Sequence, residues 1–221
     1  MLLPRRCLSC GAAGAHLCER CLRSLPRVRS PLCDRCGAPT AWPVQRCREC
    51  SGRRLGFAQA RAAVAYDDAV RRIVAAWKER GLRGIAADAA SLVADCLPPP
   101  DAALLTFVPA DARRRADRGH HPAERLAREL AERWELPCRP LLARKGGATR
   151  QRGLSHAERQ RNVAGAFTAR AAVGPVVLVD DVYTSGATVS ACAQALLMAG
   201  AGSVNVVTFA RVLQFGRAHP T

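Results

Sequence analysis

Eight cysteines in the first fifty residues fall as four Cys-x-x-Cys pairs: Cys7 with Cys10, Cys18 with Cys21, Cys33 with Cys36, and Cys47 with Cys50. No other feature restricts the fold so tightly. A Cys-x-x-Cys turn aims two sulfurs at one ion, and two turns complete a tetrahedral S4 site, which suits Zn2+ because its filled d shell imposes no competing geometry. Four pairs therefore imply two structural zinc ions. Neighbouring pairs are close enough to close locally, which assigns Cys7, Cys10, Cys18 and Cys21 to one ion and Cys33, Cys36, Cys47 and Cys50 to the other. Spacing alone leaves open an interleaved arrangement in which the first pair joins the third. A disulfide scaffold would need an oxidising compartment. The N-terminus, MLLPRRCLSC, has neither an apolar signal core nor a small-residue cleavage site before the cysteines begin. We read residues 1–54 as a double zinc ribbon, too poor in apolar mass to fold without metal, in a cytoplasmic protein.

Beyond the ribbon the composition changes to Ala, Val and Leu, with helical and strand-like periods in alternation. A chain of 221 residues has room for one α/β domain and a small appendage. ARAAVAY (60–66) reads as a strand, and Asp67 as the N-cap of a helix that Gly81 stops. A second helix fits residues 85–97, ended by Pro98, Pro99 and Pro100. ALLTFVP (103–109) is a strand, and Pro122 opens a helix running through Trp134. PCRPLLARK, GAFTA, PVVLVD and SVNVVTFARV supply further strands, and TVSACAQALLMAG a helix. Strands alternating with helices predict a mainly parallel sheet flanked by helices over residues 55–215, with a flexible tail at 216–221. Residues 191–210 carry no charge, but Gln194, Gly200, Gly202, Ser203 and Asn205 divide them into a helix and a strand, so no membrane insertion is expected. Cys96, Cys138 and Cys192 are expected to be buried small hydrophobes.

The formal charge of +16 comes almost wholly from arginine, 32 Arg against 2 Lys. It points to a polyanionic partner, either nucleic acid or a phosphorylated ligand. Eight thiolates on two zinc ions would remove part of that charge and leave the chain basic. Five aromatic residues in a hundred are few for an extended base-stacking platform.

The sharpest chemical signal is VVLVDDVYTSGAT (176–188). A strand with no polar position ends in two adjacent acids, and small hydroxyl residues and glycine then open a helix. In an open α/β sheet, ligands bind beyond the carboxyl ends of the strands. There, backbone N–H groups at a helix start cradle phosphate, while Asp180 and Asp181 would need a hydroxyl-rich or cationic partner. A ribose 5-phosphate satisfies both halves.

This stretch strongly resembles the phosphoribosyl-pyrophosphate (PRPP) signature of type I phosphoribosyltransferases. The resemblance implies that Asp180 and Asp181 hold the ribose hydroxyls and that Thr184, Ser185, Gly186, Ala187 and Thr188 hold the 5-phosphate. With the cysteine pairs, the chain resembles the competence-associated ComF family, including its GntX-type members, from Cys7 to about Leu213. Val108, Pro109, Arg113, Arg114, Arg118 and Gly119 match a family stretch of the form VP-x-x-x-RR-x-x-x-RG-FNQ. Gln151, Leu154, Ser155, Glu158, Arg159, Asn162, Val163, Ala166 and Phe167 match a second, and WKERG (77–81) resembles a third. The chain departs from the pattern at His120, His121 and Pro122, where the family has Phe-Asn-Gln, and solvent-facing histidines are the simpler expectation there. The resemblance implies a pyrophosphate loop at Pro109, Arg113, Arg114, Arg115 and Arg118, with Mg2+ accompanying PRPP. It also implies a closing loop carrying Gln151, Arg152 and Arg159. Asp180, Asp181 and Arg159 are then the candidate catalytic residues of a phosphoribosyl transfer to an unidentified acceptor. The alternatives are a non-catalytic module that handles single-stranded DNA beside DNA-uptake or recombination proteins, and a ligand-sensing regulator. Metal analysis of the purified protein should return two zinc equivalents per chain, and one or none would exclude the double ribbon.

Overall fold

The run PVVLV lies inside a four-stranded sheet in the computed structural model, which describes residues 5–82, 84–110, 120–145 and 165–213. The strands are β1 (Gln59–Ala65), β2 (Leu104–Phe107), β5 (Gly174–Tyr183) and β6 (Ala201–Arg211), in the order β1-β6-β5-β2, each parallel to its neighbour. Helix α1 (Glu19–Ser24) belongs to the cysteine-rich segment. The others are α2 (Asp68–Glu79), α3 (Ile85–Cys96), α4 (Pro122–Trp134) and α5 (Ala187–Met198).

Side chains alternate along a strand, so a strand buried on both sides feeds two cores. Val177, Val179, Val207 and Phe209 join the core beneath α2, α3 and α4, whereas Val176, Leu178, Val204 and Val206 join the other with α5. The helix boundaries follow local chemistry. The Asp67 carboxylate accepts from the Val70 N–H at 2.8 Å to start α2, and Gly81 follows its end at φ 63°. The uncharged segment at 191–210 divides as its glycines predict, with α5 ending at Met198 and β6 starting at Ala201. Among the described residues no helix is long and apolar enough to cross a membrane.

Two of the expected strands leave the parallel sheet. PCRPLLARK makes a single bridge to it, at Cys138 beside Leu105, through Leu105 N–H to Pro137 O (2.8 Å) and Arg139 N–H to Leu105 O (2.9 Å), and Leu141 N–H adds a bond to Thr106 Oγ1 at 3.2 Å. Pro137 and Pro140 have no N–H to continue a ladder. The chain instead forms β3 (Leu142–Arg144), antiparallel to β4 (Phe167–Ala169), as a separate two-stranded ribbon. Cys192 is buried as expected, while Cys96 and Cys138 are only half-buried. The tail at 216–221 lies outside the described residues.

The cysteine-rich segment straddles the sheet's edge. Pro26–Val28 runs antiparallel beside β1, with Val28 N–H to Ala63 O at 2.9 Å and Ala65 N–H to Pro26 O at 2.8 Å. Ala60 N–H reaches Arg35 O at 2.9 Å. On one side of that edge Leu17 and Leu25 enter the helical core; on the other Cys33, Cys36, Ala38 and Cys50 enter the core shared with α5. Phe57, 1% exposed, seats the second half, its ring edge-on to Tyr183 at 6.3 Å. Phe57→Ala should therefore cost about 3–5 kcal/mol, read as a lower urea midpoint with two zinc ions retained.

Candidate functional site

Each group of four cysteines comes together as neighbouring pairs. The sulfurs of Cys7, Cys10, Cys18 and Cys21 lie within 4.8 Å of one another, as do those of Cys33, Cys36, Cys47 and Cys50. The distances identify the chemistry. A tetrahedral S4 zinc site with 2.3 Å bonds places its sulfurs about 3.8 Å apart, and a disulfide about 2.05 Å. The pairs Cys10–Cys18 and Cys33–Cys50 stand at 3.6 Å, Cys36–Cys47 at 3.5 Å and Cys47–Cys50 at 4.0 Å. Backbone N–H groups of Cys18 and Cys47 point at Cys7 Sγ (3.4 Å) and Cys33 Sγ (3.3 Å), the outer hydrogen bonds a thiolate accepts. The donors fit zinc, and the local pairing holds over the interleaved one.

At the sheet's carboxyl edge Asp180 and Asp181 do not follow β5 but belong to it, since the strand pairs with β6 as far as Tyr183. β2 ends at Phe107 opposite Val179, so the acids stand one step beyond their shorter neighbour. Val108 N–H donates to Val179 O at 3.0 Å, which fixes the start of the Pro109 loop beside them. Asp180 is half-buried and its Oδ1 accepts from the Asp181 N–H at 2.9 Å; Asp181 is buried and ion-paired with Lys78 from the last turn of α2. Desolvation, then the charge and hydrogen bond of Asp181, push the Asp180 carboxyl well above the ordinary range against the pull of Lys78. Among the described residues one lysine thus serves two acids, and the edge favours a hydroxyl donor or a cation.

The next turn is built around Gly186. It adopts φ 74°, and a Cβ there would lie 2.2 Å from the Tyr183 hydroxyl. Burial pushes the Tyr183 phenol up to about 12, with Arg211 opposing, so it stays protonated. Gly186 is the N-cap of α5 and no side chain caps the helix. Ser185 Oγ accepts weakly from Ala187 N–H at 3.4 Å, and Thr184 and Thr188 are exposed. A helix start without a side-chain N-cap, with hydroxyl residues around it and the positive end of the helix dipole, is an arrangement that suits an anion.

Arg113, Arg114, Arg115, Arg118, Gln151, Arg152 and Arg159 lie outside the described residues. The histidines correct an expectation. His120 and His121 are each 8% exposed rather than solvent-facing. His120 Nε2 donates to the Trp77 carbonyl at 2.6 Å, tying the segment to α2 one residue from Lys78. His121 Nδ1 accepts from Glu124 N–H at 2.9 Å and caps α4, with its ring 5.5 Å from Phe107. The departure from Phe-Asn-Gln is thus a packed helix start. Sequence reasoning missed Lys78 as the counter-charge; its signal was composition, one of two lysines among 32 arginines, set inside WKERG.

Comparison with known proteins identifies the ribbon and finds relatives along most of the chain. The double zinc ribbon domain family matches residues 1–51. The chain is 31% identical over 211 residues to the DNA utilization protein YhgH of Salmonella typhi, covering 89% of this chain and 91% of that protein. It is 27% identical over 210 residues to the competence protein ComFC of Bacillus subtilis, covering 88% and 84% respectively.

The raised Asp180 carboxyl carries a stability consequence. Ionisation is disfavoured in the fold, so this residue's contribution is best at low pH and declines as pH rises from the ordinary aspartate value to the raised one. Asp180→Asn keeps the oxygen facing Asp181 N–H and removes the charge. Thermal melts should show it about 2–4 °C more stable than wild type at neutral pH, a difference that shrinks on acidification.

Proposed function

Because the chain belongs to the ComF family, which it matches over most of its length, we propose that it is a PRPP-binding protein serving DNA uptake or DNA use. The carrying observation is the Asp180–Asp181 pair beside the Gly186 turn at the carboxyl edge of a parallel sheet. Asp180 and Asp181 accept hydrogen bonds from the two ribose hydroxyls, with Lys78 paired to Asp181 from the last turn of α2. The Thr184–Thr188 turn takes the 5-phosphate on backbone N–H groups and hydroxyls. Pro109, Arg113, Arg114 and Arg118 are the residues for the pyrophosphate, and Mg2+ would enter with it as counter-charge. If transfer follows, an acceptor displaces pyrophosphate at the ribose C1 while Arg159 and its loop exclude water. The names of two relatives, a DNA utilization protein and a competence protein, support a role beside DNA.

A second reading has its own observation. Between the second ribbon and the strands β1 and β6 lies a cleft of ≈ 550 Å3 lined by Arg35, Gln45, Arg46, Gln59, Arg61 and Asn205, with Asp34 as its acid. A second cleft, sharing Asp34 and Arg61, reaches Pro43 next to Trp42, which is 69% exposed. Guanidiniums for phosphates, amides for base edges and an indole for stacking suit single-stranded DNA. Binding there should weaken steeply with salt, whereas a salt-independent affinity would reject it.

For the first reading, calorimetric titration with PRPP and Mg2+ should show one site per chain, abolished by Asp181→Asn. Absence of binding to the wild type overturns it. Pyrophosphate release above the variant's background separates transfer from holding.

A further inference from the structure

The turn proposed to take the phosphate is held from beneath by the second zinc cluster. Glu49 stands between the ligands Cys47 and Cys50. Its backbone carbonyl accepts from Arg53 Nη1 at 3.4 Å, and Arg53 Nη2 donates to the Ser185 carbonyl at 2.6 Å. A peptide unit is planar and trans, so the Ser185 carbonyl and the Gly186 N–H point in opposite directions. Holding that carbonyl down on Arg53 aims the Gly186 N–H away from the ribbon.

A second connection runs in parallel. Arg211, 1% exposed, donates Nη1 to the Cys36 carbonyl and pairs Nη2 with Glu49 Oε2 at 2.8 Å. Its guanidinium lies 4.8 Å over the Tyr183 ring, whose hydroxyl fills the space where Gly186 has no side chain. A buried cation stays buried only while its partners are in place, and both partners here sit on the turns that carry Cys36, Cys47 and Cys50. Gly56, just past the ribbon, donates its N–H to Ser190 Oγ at 3.0 Å and lies so close to α5 that a Cβ would be 2.6 Å from the Ser190 carbonyl.

We propose that the Cys33–Cys36–Cys47–Cys50 zinc site and the Thr184–Thr188 turn are thermodynamically coupled, with Glu49, Arg53 and Arg211 as positioning residues, so that zinc at one strengthens phosphate-ester binding at the other. The proposal rests on the ligand class given under Proposed function. Coupling is reciprocal. A phosphate-bearing ligand must therefore retain the second zinc, whereas the first, packed against the opposite core, has no such path among the described residues.

Zinc extraction by a chromogenic chelator tests this on the full chain, with and without saturating PRPP. One of the two equivalents should leave at least about fivefold more slowly when PRPP is bound, and the other unchanged. Arg53→Ala should keep two zinc ions and the wild-type circular dichroism, weaken PRPP by a similar factor, and lose the protection. Arg53→Lys, which keeps the charge and loses the second donor, should behave alike and guards against misfolding. Wild-type protein that binds PRPP while both zinc ions leave at unaltered rates overturns the coupling and leaves the PRPP reading intact. Protein that ignores PRPP while inorganic phosphate or ribose 5-phosphate slows one zinc rejects PRPP and keeps the coupling. No response to any of the three overturns both.

Discussion

A parallel sheet has to be covered on both faces, because each of its strands carries apolar residues to either side. Among the described residues, α2, α3 and α4 cover one face of the sheet and α5 lies on the other. The remainder of the second face, over β1 and the start of β6, is closed by Cys33, Cys36, Cys50, Leu55 and Phe57. Metal-binding sequence thus does the work of a helix. The same segment occupies the free hydrogen-bonding groups of the edge strand through Pro26, Val28 and Arg35, an edge that would otherwise template pairing with another chain.

The functional edge follows from how the strands end. β5 outruns β2, so Asp180 and Asp181 stand clear of the sheet on one side while still paired to β6 on the other. They are rigidly placed and poorly solvated, and one lysine from α2 answers for both. Trp77, packed edge-on against Phe209 at 6.3 Å and held through its carbonyl by His120, fixes where that lysine emerges. An uncompensated charge in such a place is a cost to the fold that a ligand relieves, which is how stability and recognition come to oppose each other at binding sites.

The sequence carried the periodic and the motif-bound features well. Buried strands, capped helices and Cys-x-x-Cys turns are local, and each announces itself within a dozen residues. What escaped was set by partners far along the chain. The divergence of β3 and β4 from the main sheet depends on two prolines denying a ladder to β2, some thirty residues earlier. His120 and His121 looked like a polar pair on a loop, and only the approach of α2 and Phe107 buries them. Arg53 and Arg211 read as two among many arginines, since nothing nearby in sequence marks them as bound for Ser185 and Cys36. The counter-charge on Lys78 was legible in principle, through its rarity.

The straddling of β1 also bears on how such a chain can change over generations. An appendage joined through one linker can be lost, swapped or borrowed with little harm to its host. Here the first metal-binding half packs into one core and the second into the other, with the edge strand between them. Deleting the cysteine-rich segment would uncover both at once. A descendant that dispensed with zinc would need a replacement for each half in the same step, so the metal requirement is heritable with the sheet itself, whether or not the ions ever meet a substrate.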